Sequence, residues 1–286
     1  MLFKNLTKKN KIIILASAIL ALLILAVFAL DVRLKIQHYE IKSDKVENRV
    51  RIALVTDLHS CKYGKDQKKL IDALEKQNPD LVLLGGDIFD DKIEPENTKK
   101  FISAIADKYP CYYVTGNHEF MCSDESFLEN MNFLEEKGVT ILRGSAETVE
   151  INGEKINICG IDDPKATDLE SYDQYIGLEG QLEEVNKISK NGNYTILLAH
   201  RPSDFDKYCK YDFDLVLSGH VHGGQWRVPF IINGLYSPSE GFFPDYTGGK
   251  YEKGSMTMII SRGLARETTI VPRIFNRPEL VIVDIE

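Results

Sequence analysis

Thiolate chemistry has little to work with in this chain. Its five cysteines (61, 111, 122, 159 and 209) are an odd number, with no Cys-x-x-Cys pair and no zinc-finger spacing. That argues against a disulfide scaffold and against a cysteine-rich structural zinc site. Cys111 and Cys159 fall in strand-like apolar runs and read as small buried hydrophobes. Cys61 follows His59 by two residues, but nothing requires it as a ligand. Internal repeats and low-complexity tracts are absent as well. Positive charge is scarce where a nucleic-acid polymer would need it, since residues 1–51 carry a net +6 and the remainder −14. A domain of that sign lacks the clustered cations of a nonspecific phosphate-backbone grip.

Long hydrophobic runs are limited to one. Residues 12–30 are continuously apolar apart from Ser17. As a helix they would span ~28 Å, close to the hydrocarbon thickness of a bilayer. Lys4, Lys8, Lys9 and Lys11 precede the run, which places the N-terminus on the cytoplasmic side. The length favours an uncleaved signal anchor; a cleaved signal peptide with Val27-x-Ala29 as its processing site is the rival. The organisation expected is a cytoplasmic basic N-terminus (1–11), a single transmembrane helix (12–30), a charged tether with an edge strand near 36–42 (31–49), and one extracytoplasmic domain (50–286). At that length one α/β domain with a continuous core is sufficient.

Histidine is also sparse, and its placement is informative. Of six histidines, five sit where an apolar run ends: His59, His118, His200, His220 and His222. The sixth, His38, has no such setting. The runs before them (52–55, 111–114, 194–198 and 215–217), with 81–84 before Asp87, read as buried strands of sheets covered on both faces. Helices are expected over 65–77, with Leu70, Ile71 and Leu74 facing the core, over 95–108, over 124–137, with Phe127, Leu128, Met131 and Leu134, and mainly over 168–190. Asn152-Gly153 marks a hairpin turn, and 256–261 and 280–285 read as closing strands. The alternation predicts two mixed sheets packed together with helices outside.

Polar residues at the carboxyl ends of such strands are where α/β sheets place their sites. Asp57, His59, Asp87, Asn117, His200, His220 and His222 therefore plausibly converge. They offer only nitrogen and oxygen, a set suited to Mn²⁺, iron or Zn²⁺. Seven donors are too many for one tetrahedral ion and about right for two ions sharing a ligand.

Asp57-x-His59, Gly86-Asp87, Gly116-Asn117-His118-Glu119, His200 and Gly219-His220-x-His222, in that order, resemble the calcineurin-like metallophosphoesterases. The resemblance covers roughly residues 50–286. It is strongest to a membrane-anchored bacterial branch, with Ala199-His-Arg-Pro202, His222-Gly-Gly-Gln225 and Asn276-x-Pro-Glu279. It implies a four-layer α/β/β/α sandwich. One metal would lie on Asp57, His59, Asp87 and His222, and a second on Asp87, Asn117, His200 and His220, with Asp87 bridging. His118 would face the substrate as a catalytic non-ligand. The cofactors implied are two divalent metal ions, drawn from Mn²⁺, Fe²⁺/Fe³⁺ and Zn²⁺. The chemistry expected is hydrolysis of a phosphomonoester, phosphodiester or pyrophosphate by a hydroxide that the metal pair activates. The anchor points to a lipid-linked or envelope substrate at the cell membrane. A non-catalytic metal-binding scaffold of the same fold is the alternative.

Arg201 is placed either on a substrate phosphate or on a surface acid such as Asp204. Asp90 and Asp91 read as solvated loop acids, with a supporting role at the site open for Asp90. Asp162-Asp163-Pro164 reads equally as a loop beside the site or a surface turn. Residues 228–253, rich in glycine, proline and aromatics, form either an apolar rim or a packed long loop.

Overall fold

In the computed structural model, successive residues of each central strand enter different layers. It describes residues 7–168, 175–266 and 272–286. Strands β1 (Lys35–Ile41), β2 (Val50–Val55), β3 (Leu81–Gly85), β4 (Cys111–Val114), β5 (Thr140–Ile141) and β14 (Glu279–Ile285) form one six-stranded sheet, in the order β1-β14-β2-β3-β4-β5. A second six-stranded sheet has the order β12-β13-β9-β8-β7-β6. It comprises β6 (Ser145–Ile151), β7 (Glu154–Gly160), β8 (Tyr194–Leu198), β9 (Leu215–Ser218), β12 (Gly249–Lys253) and β13 (Met256–Ile260). The short β10 (Tyr236–Ser237) and β11 (Gly241–Phe242) pair separately. Both large sheets are mixed, with parallel centres.

Because side chains alternate across a strand, β2 sends Ile52 and Leu54 between the sheets and Ala53 and Val55 outward. Likewise β8 sends Ile196 and Leu198 between the sheets and Leu197 outward. The outward residues of the first sheet are covered by α2 (Lys68–Glu75), α3 (Glu96–Ala106) and α4 (Asp124–Glu136). Those of the second are covered by α5 (Gly177–Val185) and α6 (Phe205–Tyr208). Three apolar layers thus separate four layers of secondary structure, as the strand-helix alternation requires.

Most elements fall where the sequence places them, and the departures have local causes. Leu128 is exposed although it was expected in the α4 stripe; Asn130 is buried instead. Phe127, Met131 and Leu134 recur every three or four residues, whereas Leu128 lies about 100° round the helix from Phe127. The region expected to be helical over 168–190 contains α5 followed by a 3-10 helix, Asn186–Asn191; residues 169–174 lie outside the described residues. The edge strand expected near 36–42 is present as β1, at the margin of the first sheet. All seven residues of β1 pair in parallel with β14, so the sheet begins well before residue 50. The hairpin turn is as expected, with Asn152 and Gly153 both at positive φ.

Helix α1 (Lys8–Ala29) is capped by Thr7 and buries none of its residues. By length and composition it can cross a membrane. Where it leaves the domain it is held tightly: Phe275 N donates to Ala29 O at 2.7 Å. Arg277 Nε and Nη2 donate to the carbonyls of Arg33 and Leu34.

Candidate metal centre

The loops that follow β2, β3, β4, β8 and β9 meet at one end of the two sheets. The loops after β2, β3 and β9 leave their strands through sharp turns. Asp57, His59, Asp87, His220 and His222 all have φ between +46° and +71°, a region that costs a non-glycine residue energy and is typical of functional sites. The loops approach so closely that two positions exclude side chains. A Cβ at Gly219 would lie 2.5 Å from Asp57 Oδ2, and one at Gly86, itself at φ +85°, would lie 2.6 Å from His200 Nδ1.

This packing orients the carboxylates. Asp57 Oδ1 accepts from His220 N at 2.9 Å, and Asp87 Oδ1 accepts from His118 N at 2.8 Å. Asp57 Oδ2 has no hydrogen-bond partner among the described residues. Asp87 Oδ2 lies between two imidazoles, 3.4 Å from His59 Nε2 and 3.2 Å from His200 Nε2. Ligand atoms of Asp57, His59, Asp87 and His222 fall within 4.8 Å of one another, as do those of Asp87, His200 and His220. Asp87 belongs to both groups.

The imidazoles are also held in defined tautomers. His200 Nδ1 lies 2.8 Å from Gly85 O, which can only accept, so the proton is on Nδ1 and Nε2 faces Asp87. His59 Nδ1 lies 2.8 Å from Asp90 Oδ2, leaving Nε2 without a hydrogen-bond partner among the described residues. His222 Nδ1 and Asn117 Oδ1 are buried in the same condition. Buried polar atoms are ordinarily paired. Four unpaired nitrogen and oxygen ligand atoms at one spot, three of them from the group that Asp57, His59 and His222 form with Asp87, fit divalent cations.

The same crowding shifts the titrations of the acids and imidazoles, raising some and lowering others. Burial raises the Asp57 pKa above the ordinary carboxylate value. Burial would depress His200, but the adjacent Asp87 charge and hydrogen bond outweigh it and push the pKa up to about 10. Burial drives His220 and His222 well below the usual imidazole value, which keeps them neutral and able to ligate.

Sequence reasoning placed several neighbouring groups too loosely. Asp90 is buried on His59, and Asp91 Oδ1 lies 2.6 Å from His118 Nδ1, so neither is a solvated loop acid. The His118 side chain stays 23% accessible while the other site histidines are nearly enclosed. Arg201 pairs with Asp163, not Asp204, through a fork at 2.6 and 3.1 Å, and Asp204 binds Lys207. Its Nη1 lies 3.4 Å from His220 Nε2, at the edge of the cluster. Asp162 and Asp163 are buried beside the site and do not form a surface turn. The sequence motif around Glu119 assigns that residue no role. Its buried carboxylate accepts from the amides of Asp87, Ile88, Phe89 and Gly116 and ties the β3 loop to the β4 loop. An acid directly before Phe120 and Met121 was the available signal. Asn276 Nδ2 similarly fastens the last site loop through the carbonyls of His222 and Gln225.

Comparison with known proteins agrees with this geometry. The calcineurin-like phosphoesterase family model matches residues 50–224. An uncharacterized metallophosphoesterase of Helicobacter pylori strain J99 is 32% identical over 222 residues, covering 72% of this chain and 56% of that protein. The chain therefore spans little more than half the length of that relative. An Aquifex aeolicus counterpart is 28% identical, with 88% and 92% covered. A Danio rerio transmembrane protein with a metallophosphoesterase domain is 28% identical, with 80% and 55% covered. Among solved structures, the Haemophilus influenzae NAD nucleotidase is similar in fold, with a TM-score of 0.51 at 17% identity over 77% of this chain and 46% of that one. The chain belongs to the calcineurin-like phosphoesterase family.

Proposed function

We propose that the chain is a phosphoesterase that works with two divalent ions, anchored by α1 at a membrane where its substrate resides. The observation that carries this reading is the position of Asp87 Oδ2, 3.4 Å from His59 Nε2 and 3.2 Å from His200 Nε2. A carboxylate oxygen so placed serves both donor groups at once. Asp57, His59, Asp87 and His222 would hold one ion; Asp87, Asn117, His200 and His220 would hold the other. The donor set suits Mn²⁺, Fe²⁺/Fe³⁺ or Zn²⁺. Such ions, when bound, make water acidic enough to attack at neutral pH and polarise phosphoryl oxygens.

The remaining roles belong to side chains of the chain itself. With Nδ1 tied to Asp91, His118 presents Nε2 to the open side, where it would stabilise the phosphoryl group or protonate the leaving oxygen. Asp91 fixes that ring as a carboxylate fixes a catalytic imidazole elsewhere. Arg201, its fork held by Asp163, would lend positive charge to a substrate phosphate at the cluster edge. The candidate membrane helix and the transmembrane Danio rerio relative support a single-pass anchor, and the lysines before the helix favour an extracytoplasmic domain, acting on a lipid-linked or envelope phosphate ester.

The test is hydrolysis of chromogenic phosphomonoesters and phosphodiesters by the full chain, with bound metal counted before and after chelation. Hydrolysis that is lost with chelator and restored by Mn²⁺ is the expected result. Uptake of two ions with no hydrolysis of any ester would favour a non-catalytic scaffold. A folded sample that takes up no ions would end both readings.

A further inference from the structure

The turn that carries His222 continues into a loop that leaves several large apolar side chains exposed. Phe230 is fully exposed, Ile231 is 80% exposed, and Val228, Phe242 and Phe243 are exposed beside them. Phe230 and Phe243 are held at φ +67° and +54°, conformations that bulky residues rarely adopt. A soluble surface seldom displays such a group without a partner.

The loop is fastened to the exit of α1. Arg227 N donates to Ile274 O and Ile274 N to Gln225 O, while Trp226 Nε1 donates to Pro272 O. The next residue, Phe275, donates its N–H to Ala29 O, the last residue of α1. A few hydrogen bonds therefore connect the end of an apolar helix to the base of an apolar loop. A bilayer crossed by the helix would lie against the loop.

Between them lies a cavity of about 630 Å³ lined by Lys35, Arg227, Arg262, Phe230, Ile231 and Phe275, among others. Its cations are crowded. Burial and the nearby Arg262 lower the Arg227 pKa to about 10. Arg262 has Glu279 at 3.6 Å, but Lys35 bonds to Gln37 and Arg227 to Asn233 and Gly223 O. Among the described residues neither Lys35 nor Arg227 pairs with a carboxylate. Apolar tips beside cations are the composition of an interfacial contact with anionic lipid.

We propose that the 226–243 loop is a second membrane contact. Phe230, Ile231, Phe242 and Phe243 enter the acyl boundary, and the Lys35–Arg227–Arg262 cavity receives an anionic phospholipid headgroup. The proposal rests on α1 being a membrane anchor. It would place the approach to His222 at headgroup level.

Trp226 is the only tryptophan in the chain and reports directly on this loop. The full chain is reconstituted into vesicles of phosphatidylcholine, with or without phosphatidylglycerol, carrying bromine high or low on the acyl chains. The expected result is quenching of Trp226 by the shallow bromines, stronger with phosphatidylglycerol. It is lost in a Phe230→Asp/Ile231→Asp variant that melts at the parent temperature, and its lipid dependence is lost in Lys35→Gln. Incorporation with Trp226 unquenched overturns the loop contact alone. Failure to incorporate at all overturns the anchor and this proposal together. If inorganic phosphate added to phosphatidylcholine vesicles reproduces the phosphatidylglycerol effect, the cavity takes a free anion and the headgroup assignment falls.

Discussion

Two residues of the centre, Asp87 and His118, make opposite demands on experiment, and both follow from single atoms. Asp87 offers one oxygen to the His118 backbone and the other to two imidazoles. Asp87→Ala should therefore empty both ion positions, which metal analysis of the purified protein would show; retention of one ion would argue against a shared ligand. His118 touches Asp91 and faces outward, and it is not a member of either group built on Asp87. His118→Ala should lower kcat by ~10²–10⁴-fold with metal content near that of the parent. Loss of both ions in that variant would show that His118 is a ligand instead.

At the scale of elements, the site depends on loops that neighbouring strands hold together. Glu119 accepts four amide hydrogens from two loops while fully buried. Buried donors left unpaired cost ~1–3 kcal/mol each. Glu119→Ala should destabilise the domain by about 3 kcal/mol or more, measured by denaturant unfolding; a variant as stable as the parent would mean that water replaces the carboxylate at no cost. At the far end of the first sheet, Asp284 on β14 pairs with Arg51 on β2 at 2.7 and 2.8 Å. The Arg51 hydrogen bond, ahead of the cost of burial, holds the Asp284 pKa below the ordinary carboxylate value. The folded pKa is the depressed one, so the stabilisation is complete above about pH 4 and fades as pH falls through the folded value. Asp284→Asn should flatten that part of the acid-stability curve, and an unchanged acid limb would discount the pair.

For the whole molecule, the question is where its two apolar exposures go. Helix α1 buries nothing inside the protein, and the domain's net negative charge does not favour anionic surfaces by itself. The full chain should stay in the membrane pellet through an alkaline carbonate wash, as a spanning helix does and an electrostatic contact does not. Release into the supernatant would remove the anchor from the account.

Much of this protein is legible along the chain. Strand positions follow from apolar runs, and the helices from their period. Five of six histidines follow apolar runs in the sequence, and four of them, His59, His200, His220 and His222, fall in the two groups built on Asp87. Those are local signals, set by what a buried strand or a helical face requires of consecutive residues. The pairing of Asp90 with His59, Asp91 with His118 and Arg201 with Asp163 was not legible. Each joins residues from the ends of different strands, and an acid's sequence context does not say which strand end lies opposite. The same holds for β1, which closes a sheet with the last strand of the chain, and for the loop at Phe230, which the link between Phe275 and Ala29 sets beside α1. Composition and periodicity determined most of the buried strand and helix faces and which residues are chemically apt. Only the tertiary structure decided which of them face one another, because sheet order is settled by packing among distant segments.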